Sequence, residues 1–307
     1  MKKVLVATVK PFAPAAVAEI KSIVDAAGYE FILFEKYTDQ TEFIKAVGDV
    51  DAMIIRSDKA DKDVIGAAKN LKIIVRAGAG YDNIDLAAAS AKGIVAMNTP
   101  GQNSNAVAEL ALGMMVFMAR GQFNGKSGTE LKGKTLGIHA YGNVGRYVAN
   151  IAKGFGMKVY AFDPFVDDDV ISKDGVTPLG SADELYSACQ YISLHIPAND
   201  KTKKSIGFDI LSKMPKNAVL VNTARKEVID EDGLMKLMAE REDFTYLSDI
   251  APDCASEIES NFEGRFFFTP KKSGAQTAEA NINAGIASAN QIVNFFEKGD
   301  TTFQVNK

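Results

Sequence analysis

The chain has 307 residues, of which 47% are hydrophobic and 24% are charged, and its formal net charge is -4 at pH 7. These values are typical of a globular protein of about two domains, and they exclude a general electrostatic attraction to nucleic acid or to anionic membranes. No apolar run is long enough to span a bilayer, and the two cysteines and two histidines lack metal-ligand spacing, which predicts no metal site and a reducing, cytoplasmic setting.

Short apolar runs alternate with amphipathic stretches through the first part of the chain. Strands are predicted at 3–8, 30–35, 52–56, 73–76 and 95–97, with helices at 13–27, 42–47, 62–68 and 84–91. This alternation is typical of a doubly wound parallel α/β sheet. After the turn Asn98-Thr-Pro-Gly101, Ser104 or Asn105 is predicted to cap a long apolar helix at 106–118, and a polar loop is predicted at 120–134.

A glycine turn follows between two predicted strands, 135–139 and 158–162. Ala140-Tyr-Gly142-Asn-Val-Gly145 leads into a predicted helix at 146–153. Glycines at a helix start let backbone N–H groups approach a pyrophosphate. Asp163 lies 163 − 145 = 18 residues beyond Gly145, close to the roughly 20 expected for the acid that holds a ribose diol, and it would repel a 2′-phosphate. The motif therefore favours NAD over NADP, although Ala140 replaces the usual first glycine and the other two glycines could merely permit close packing.

The remaining pattern predicts a second sheet. Strands are predicted at 191–194, 218–222, 245–250 and 266–269, and helices at 182–188, 208–213, 231–239 and 277–296. The last helix follows a complete nucleotide unit and is predicted to return to the first domain. The sequence therefore predicts an α/β protein of two doubly wound parallel-sheet domains. A Rossmann nucleotide domain at 99–277 is inserted into a flavodoxin-like substrate domain at 1–98 and 278–307, and the two chain crossings suit hinge closure.

Charged residues and their immediate neighbours follow the predicted strands, where open parallel sheets bind their ligands. These residues are Arg56, Ser57 and Lys59 after one strand, Arg76, Ala77 and Gly78 at the end of another, and Arg225, Asp249, Lys271 and Lys272 in the second domain. So many cations predict a small polyanionic substrate, with Arg225 binding a carboxylate as a fork and Arg56, Lys59 and Arg76 suiting a phosphate. Each arginine taken alone could instead be a solvated surface side chain.

At these residues the chain resembles the NAD-dependent D-isomer-specific 2-hydroxyacid dehydrogenases. The resemblance runs through RAGAGYDNID from Arg76, NTPGQNSNAVAEL from Asn98, the glycine turn, SLHIP from Ser193, NTARKEVID from Asn222 and GAQTAEA from Gly274. It implies oxidation of D-3-phosphoglycerate to 3-phosphohydroxypyruvate, the entry step of serine synthesis, by a homodimer built around the helix near 104–118. The net charge and the absence of a long apolar run predict no nucleic-acid or membrane partner.

The resemblance also implies residue roles. Arg225 would bind and polarise the 2-oxo acid, Asp249 would hold the nicotinamide carboxamide, and Gly78 would contact the substrate through its backbone. The implied cofactor set also includes Tyr141, Gly142, Asn143, Val144, Gly145, Asp163, His195, Pro197, Thr202, Thr223, Ala224 and Gly274.

Two departures from the family bear on catalysis. The family usually has a histidine directly after Thr-Pro, whereas Lys271 and Lys272 follow Thr269-Pro270 here. The usual paired glutamate, 29 residues beyond Arg225, falls on Cys254 (225 + 29 = 254). Nearby cations and a missing carboxylate favour a neutral amine, so we expect a lysine to act as the acid–base catalyst. Counting back from Gly274 selects Lys272, which we favour, and counting forward from Thr269 selects Lys271.

Two other functions fit the same residues. A reductase of glyoxylate, hydroxypyruvate or another D-2-hydroxy acid needs no phosphate site. A non-catalytic NAD-sensing protein would be consistent with the missing histidine and glutamate.

Overall fold

The computed structural model describes residues 1–307. The chain divides into two compact units. The first unit comprises Met1–Asn103 and Gln276–Lys307, and the second comprises Ser104–Ala275. The sequence-based bounds differ from these by 103 − 98 = 5 and 278 − 276 = 2 residues.

Twelve strands and twelve α-helices make up the two units. The strands are β1 (Lys3–Thr8), β2 (Glu30–Glu35), β3 (Ala52–Ile55), β4 (Ile73–Arg76), β5 (Val95–Asn98), β6 (Thr135–His139), β7 (Lys158–Phe162), β8 (Thr177–Pro178), β9 (Tyr191–Leu194), β10 (Val219–Asn222), β11 (Thr245–Ser248) and β12 (Phe266–Phe268). The helices are α1 (Pro14–Ala26), α2 (Gln40–Ala46), α3 (Lys62–Ala67), α4 (Leu86–Ala91), α5 (Ser104–Ala119), α6 (Asn143–Gly154), α7 (Asp168–Lys173), α8 (Ala182–Ala188), α9 (Phe208–Leu211), α10 (Glu231–Glu240), α11 (Ala255–Asn261) and α12 (Ala278–Lys298). None of these helices combines the length and apolar character that crossing a bilayer requires.

The first unit is a five-stranded parallel sheet in the order β2-β1-β3-β4-β5. Alternate residues of β1 enter opposite cores, with Val4 and Val6 on one face and Leu5 and Ala7 on the other, so helices must cover both faces. The strand order reverses between β1 and β3, which makes their carboxyl ends the expected ligand site of this sheet.

The end of the chain covers the outer edge of β5. Gln304 forms an antiparallel bridge with Met97, and the Val305 N–H donates to the carbonyl of Ala96 at 2.8 Å. The Asn306 amide donates to the carbonyl of Ile94 at 2.8 Å. The backbone groups of this edge strand are thereby paired rather than left open.

The second unit is a seven-stranded parallel sheet in the order β12-β11-β10-β9-β6-β7-β8. This is the Rossmann arrangement, with the reversal between β6 and β9. The two sheets confirm the predicted fold class.

The sequence pattern misses three short elements and predicts the wrong cap for α5. It does not predict α7, β8 or α11. The expected capping by Ser104 or Asn105 is wrong, because α5 already begins at Ser104 and the Asn105 amide donates to the Glu109 carboxylate at 2.7 Å. The 120–134 stretch is largely irregular, as predicted, with one short 3₁₀ turn at Gly121–Phe123.

Candidate active site

The glycine turn lies between β6 and α6. Ala140 adopts a φ of +79°, a left-handed conformation that costs an L-residue roughly 1–2 kcal/mol, at the position where the dinucleotide motif normally has glycine. Gly142 directly precedes α6, and no side chain caps the helix start, so its first N–H groups remain available to an anion. A Cβ on Gly145 would lie 2.5 Å from the Ala140 carbonyl oxygen. Glycine is therefore required there for the helix to start this close to the strand.

Asp163 directly follows β7 and is oriented by two backbone amides. Its Oδ2 accepts from the Tyr141 N–H at 2.8 Å and its Oδ1 from the Phe165 N–H at 2.9 Å. A carboxylate offers about four acceptor positions, so capacity remains for a ribose diol. The Tyr141 ring itself is buried, and its hydroxyl donates to Asp174 at 3.0 Å. Burial, the Asp174 hydrogen bond and its charge raise the pKa of the Tyr141 phenol. The Tyr141 side chain is thus structural, and its backbone N–H is the group that faces the predicted ribose acid.

The turn after β10 holds Arg225. The Asn222 side chain locks this turn, accepting from the Ala224 N–H at 3.0 Å and donating to the Arg225 carbonyl at 3.0 Å. Arg225 is exposed, and one of its guanidinium nitrogens donates to the Ala224 carbonyl at 2.9 Å. The Thr223 hydroxyl is buried and has no hydrogen-bond partner in the protein. A bound molecule or an ordered water can supply the partner that this hydroxyl lacks.

Asp249 anchors the loop that carries the two lysines. Its Oδ1 accepts from the Ser273 N–H at 2.7 Å and the Thr269 hydroxyl at 3.1 Å, and its Oδ2 accepts from the Gly274 N–H at 2.9 Å. A Cβ on Gly274 would lie 2.8 Å from Asp249 Oδ2, so this approach requires glycine. Lys271 and Lys272 have exposed side chains just before the anchored amides.

Glu231, which the sequence pattern did not indicate as a site residue, lies beside Cys254. The Glu231 carboxylate accepts from the Asp253 N–H at 2.9 Å and the Cys254 N–H at 2.8 Å. Burial, with the Glu231 charge, raises the pKa of the Cys254 thiol to about 12, so this thiol is not a nucleophile near neutral pH. The only sequence signal for Glu231 was its place at the start of a predicted helix.

Both histidines of the chain lie at the strand ends beside the glycine turn. The ring of His195 contacts the Ser193 hydroxyl at 3.0 Å, and the ring of His139 contacts the Tyr186 hydroxyl at 3.2 Å. Burial lowers the pKa of His139 to about 4 and that of His195 to about 3. Both rings are therefore neutral at physiological pH.

Four further residues of the implied cofactor set differ in exposure. Asn143 is exposed at the start of α6, and Val144 is half-buried beside it. The Pro197 carbonyl accepts the hydroxyl of the half-buried Thr202.

In the first unit, Arg56 follows β3 at the point where the strand order reverses. Its guanidinium donates to the carbonyls of Lys10 at 3.0 Å and Pro11 at 2.9 Å, and to the Asn281 side chain at 2.6 Å. Burial lowers the pKa of Arg56, with the nearby Asp58 charge opposing that shift. The buried Asp58 carboxylate also accepts from the Val9 N–H at 2.7 Å, and so ties the loops after β1 and β3 together.

Arg76 ends the next strand, β4. Its Nε donates to the backbone carbonyl of Arg56 at 3.1 Å, so the Arg76 side chain reaches the end of the neighbouring strand, β3. Ala77 is buried, whereas the side chains of Ser57 and Lys59 are exposed.

The residues of the second unit fit a dinucleotide. An uncapped helix start, a spare carboxylate acceptor on Asp163 and the orphaned Thr223 hydroxyl all lie at the carboxyl edge of one sheet. This is the edge at which parallel sheets of this topology bind nucleotides.

Comparison with known proteins agrees with this geometry. Residues 109–262 match the model of the D-isomer specific 2-hydroxyacid dehydrogenase, NAD binding domain. The chain is 49% identical to the NAD⁺-bound 3-phosphoglycerate dehydrogenase of Entamoeba histolytica, with a TM-score of 0.86 over 100% of this chain and 99% of that chain.

Curated relatives carry two different names. The chain is 36% identical to a D-3-phosphoglycerate dehydrogenase of Methanocaldococcus jannaschii over 82% of this chain and 51% of that protein. It is 39% identical to a hydroxypyruvate reductase of Thermotoga maritima over 67% of this chain and 70% of that protein. The chain therefore spans about half the length of the first of these relatives.

Proposed function

Because this chain belongs to the D-isomer-specific 2-hydroxyacid dehydrogenases and carries their NAD-binding domain, we propose that it oxidises D-3-phosphoglycerate to 3-phosphohydroxypyruvate. The observation that carries the substrate proposal is the hydrogen bond from the Arg76 side chain to the backbone carbonyl of Arg56, which links two arginines at neighbouring strand ends of the first unit. Two guanidinium groups suit a dianionic phosphate better than a carboxylate alone. We assign Ser57, Lys59, Ala77 and Gly78 to the same substrate contact region.

The second unit would hold the cofactor. In this proposal the start of α6 binds the pyrophosphate through residues 142–145, and Asp163 binds the adenosine ribose. His195, Pro197 and Thr202 line the adenine, and Thr223, Ala224, Asp249 and Gly274 face the nicotinamide. When bound, NAD supplies the hydride acceptor.

Arg225 and Lys272 would perform the chemistry on the substrate. The exposed Arg225 fork binds the carboxylate and polarises the oxygen on C2, which places the reacting group in a fixed orientation. The neutral Lys272 amine accepts the C2 hydroxyl proton as the hydride leaves C2, and in reduction its ammonium returns that proton. Lys272 is supported over Lys271 because it lies next to the two amides that Asp249 anchors.

Lysine variants test this assignment. Lys272→Ala should lower kcat by about 10²–10⁴-fold, the usual contribution of a general acid–base group, and activity in the wild type should rise with pH as the amine loses its proton. Lys201→Ala, which removes another exposed lysine, is the matched control and should retain wild-type kcat. Loss of turnover in Lys271→Ala with retention in Lys272→Ala would move the role to Lys271.

The hydroxypyruvate-reductase relative favours a second candidate, a reductase acting on unphosphorylated 2-oxo acids. The two are separated by kcat/KM for 3-phosphohydroxypyruvate and hydroxypyruvate, each measured with NADH. A preference for the phosphorylated acid that disappears in Arg56→Ala and Arg76→Ala supports the main proposal. Measurable NAD binding without turnover of either acid would instead indicate a sensor.

We also propose a homodimer that uses α5, as the resemblance implies. Size-exclusion chromatography with light scattering tests it, and a monomer at assay concentration would refute it. The cytoplasmic setting remains a prediction from the cysteine content, and fractionation of the source cell tests it.

A further inference from the structure

The Arg76 side chain folds over the position that a side chain on residue 78 would occupy. An ideal Cβ on Gly78 would lie 1.6 Å from Arg76 Nη1 and 2.6 Å from its Cζ. No two such atoms can share that space, because even 3.0 Å is shorter than real Cβ contacts. The Arg76 guanidinium therefore occupies the space that a side chain on residue 78 would fill.

The backbone at this position is held from the other side. The Gly78 N–H donates to the Thr99 hydroxyl at 2.6 Å, and the Thr99 N–H donates to the Gly78 carbonyl at 3.0 Å. The Asn98 amide donates to the carbonyl of Ala79 at 2.6 Å, and both Thr99 and Asn98 are buried. If a methyl group were added at residue 78, the flexible arginine would move more readily than this fixed backbone.

The same guanidinium group is also held through its Nε atom. Its Nε donates to the Arg56 carbonyl, which also accepts from the Asn83 amide at 3.1 Å. Displacing the guanidinium from Gly78 would therefore strain or break its link to Arg56. In the proposed function both arginines bind the phosphate, so an unphosphorylated acid would not depend on the position of Arg76.

We infer that Gly78 determines specificity for the phosphorylated substrate, because its missing side chain leaves room for the Arg76 guanidinium to bind a phosphate dianion. The inference rests on the proposed function and extends it. It assigns to the glycine a role beyond offering its backbone to the substrate.

A double-mutant cycle tests the inference with 3-phosphohydroxypyruvate and hydroxypyruvate as substrates. Gly78→Ala should lower the ratio of kcat/KM for the phosphorylated acid to kcat/KM for hydroxypyruvate by about tenfold or more, the loss of one good contact. In the Arg76→Ala background the same methyl group should change that ratio by less than about threefold, since its partner is gone. Gly80→Ala is the control, because its Cβ would meet only the Asp82 carboxylate, at 3.0 Å.

Gly78 has a φ of +146°, so the methyl group also strains the backbone. That strain is the same in both backgrounds and cancels in the cycle. An undiminished effect of Gly78→Ala in the Arg76→Ala background, or an equal loss on both substrates, would refute the inference while leaving the proposed function intact. A wild-type protein with no preference for the phosphorylated acid would refute the proposed function, and the inference with it.

Arg76→Lys gives an answer even if Gly78→Ala does not fold. Lysine keeps the charge but has neither the planar group over Gly78 nor the Nε donor to Arg56. The preference for the phosphorylated acid should fall by about tenfold. An unchanged preference for the phosphorylated acid in Arg76→Lys would show that the position of the guanidinium over Gly78 does not determine specificity.

Discussion

Replacing Asp249 by alanine should free the loop that carries Lys271 and Lys272. The side chain is 2% exposed and accepts from two backbone N–H groups and one hydroxyl. Hydrogen bonds to a charged group contribute about 1.5–3 kcal/mol each, so the two amide bonds set an upper limit of about 3–6 kcal/mol. Ser273 is only half-buried, and water would replace part of this, so we expect a loss of about 2–4 kcal/mol in local stability.

Hydrogen exchange measured by mass spectrometry reports this loss directly. Since each 1.4 kcal/mol is a factor of ten, exchange in the peptide covering 269–275 should accelerate by about 30- to 1,000-fold. The kcat should fall by about 10²-fold, because a displacement of about 1 Å in a catalytic group has that effect. Asp200→Ala removes the same charge at an exposed site and should change neither quantity. Unchanged protection of 269–275 in Asp249→Ala would refute the anchoring role, and unchanged kcat with lost protection would refute a catalytic role for the loop.

Two further predictions concern the second unit. Asp163→Ala should raise the Kd for NAD by about 10- to 150-fold, the equivalent of about 1.5–3 kcal/mol. It should also reduce the difference in Kd between NAD and NADP. An unchanged Kd for NAD, measured by calorimetry, would show that Asp163 does not bind the ribose. The folded-state pKa values of His139 and His195, about 4 and about 3 against 6.5 for the free side chain, mean that the unfolded chain takes up protons first as the pH falls. The contribution of each neutral histidine to folding stability is therefore fully present above pH 6.5. As the pH falls from 6.5 to 4, each histidine should reduce the free energy of unfolding by up to about 1.4 kcal/mol per pH unit. Urea unfolding of His195→Gln should show a smaller dependence on pH in that range, and a slope equal to the wild type would contradict this.

The sequence predicted the long, regular parts of the fold because their signals are local. The buried strands of both sheets appear as short apolar runs, and the glycine turn is contiguous. The elements it did not predict lack such signals: α7 and α11 each bury one residue, Ile171 and Ile258, and β8 has only two residues, one of them proline. A helix or strand held by one buried side chain depends on its tertiary surroundings, which periodicity does not report.

The candidate site divides in the same way. Strand-end positions placed Arg56 and Arg76 at one edge of a sheet, because parallel topology brings the carboxyl ends together. Their partners could not be read from the sequence. Asn281, which binds Arg56, lies 225 residues away, and Glu231 lies 23 residues before Cys254.

Residues 304–306, which cover the outer edge of β5, have a consequence for biosynthesis. During translation the first five strands leave the ribosome with this edge uncovered. A further 275 − 104 + 1 = 172 residues must be made before α12 and residues 304–306 can emerge. A nascent sheet with an open edge is prone to pair with other chains. Because one unit is inserted into the other, this edge stays open while residues 104–275 are made, and slowing translation within 104–275 should increase aggregation.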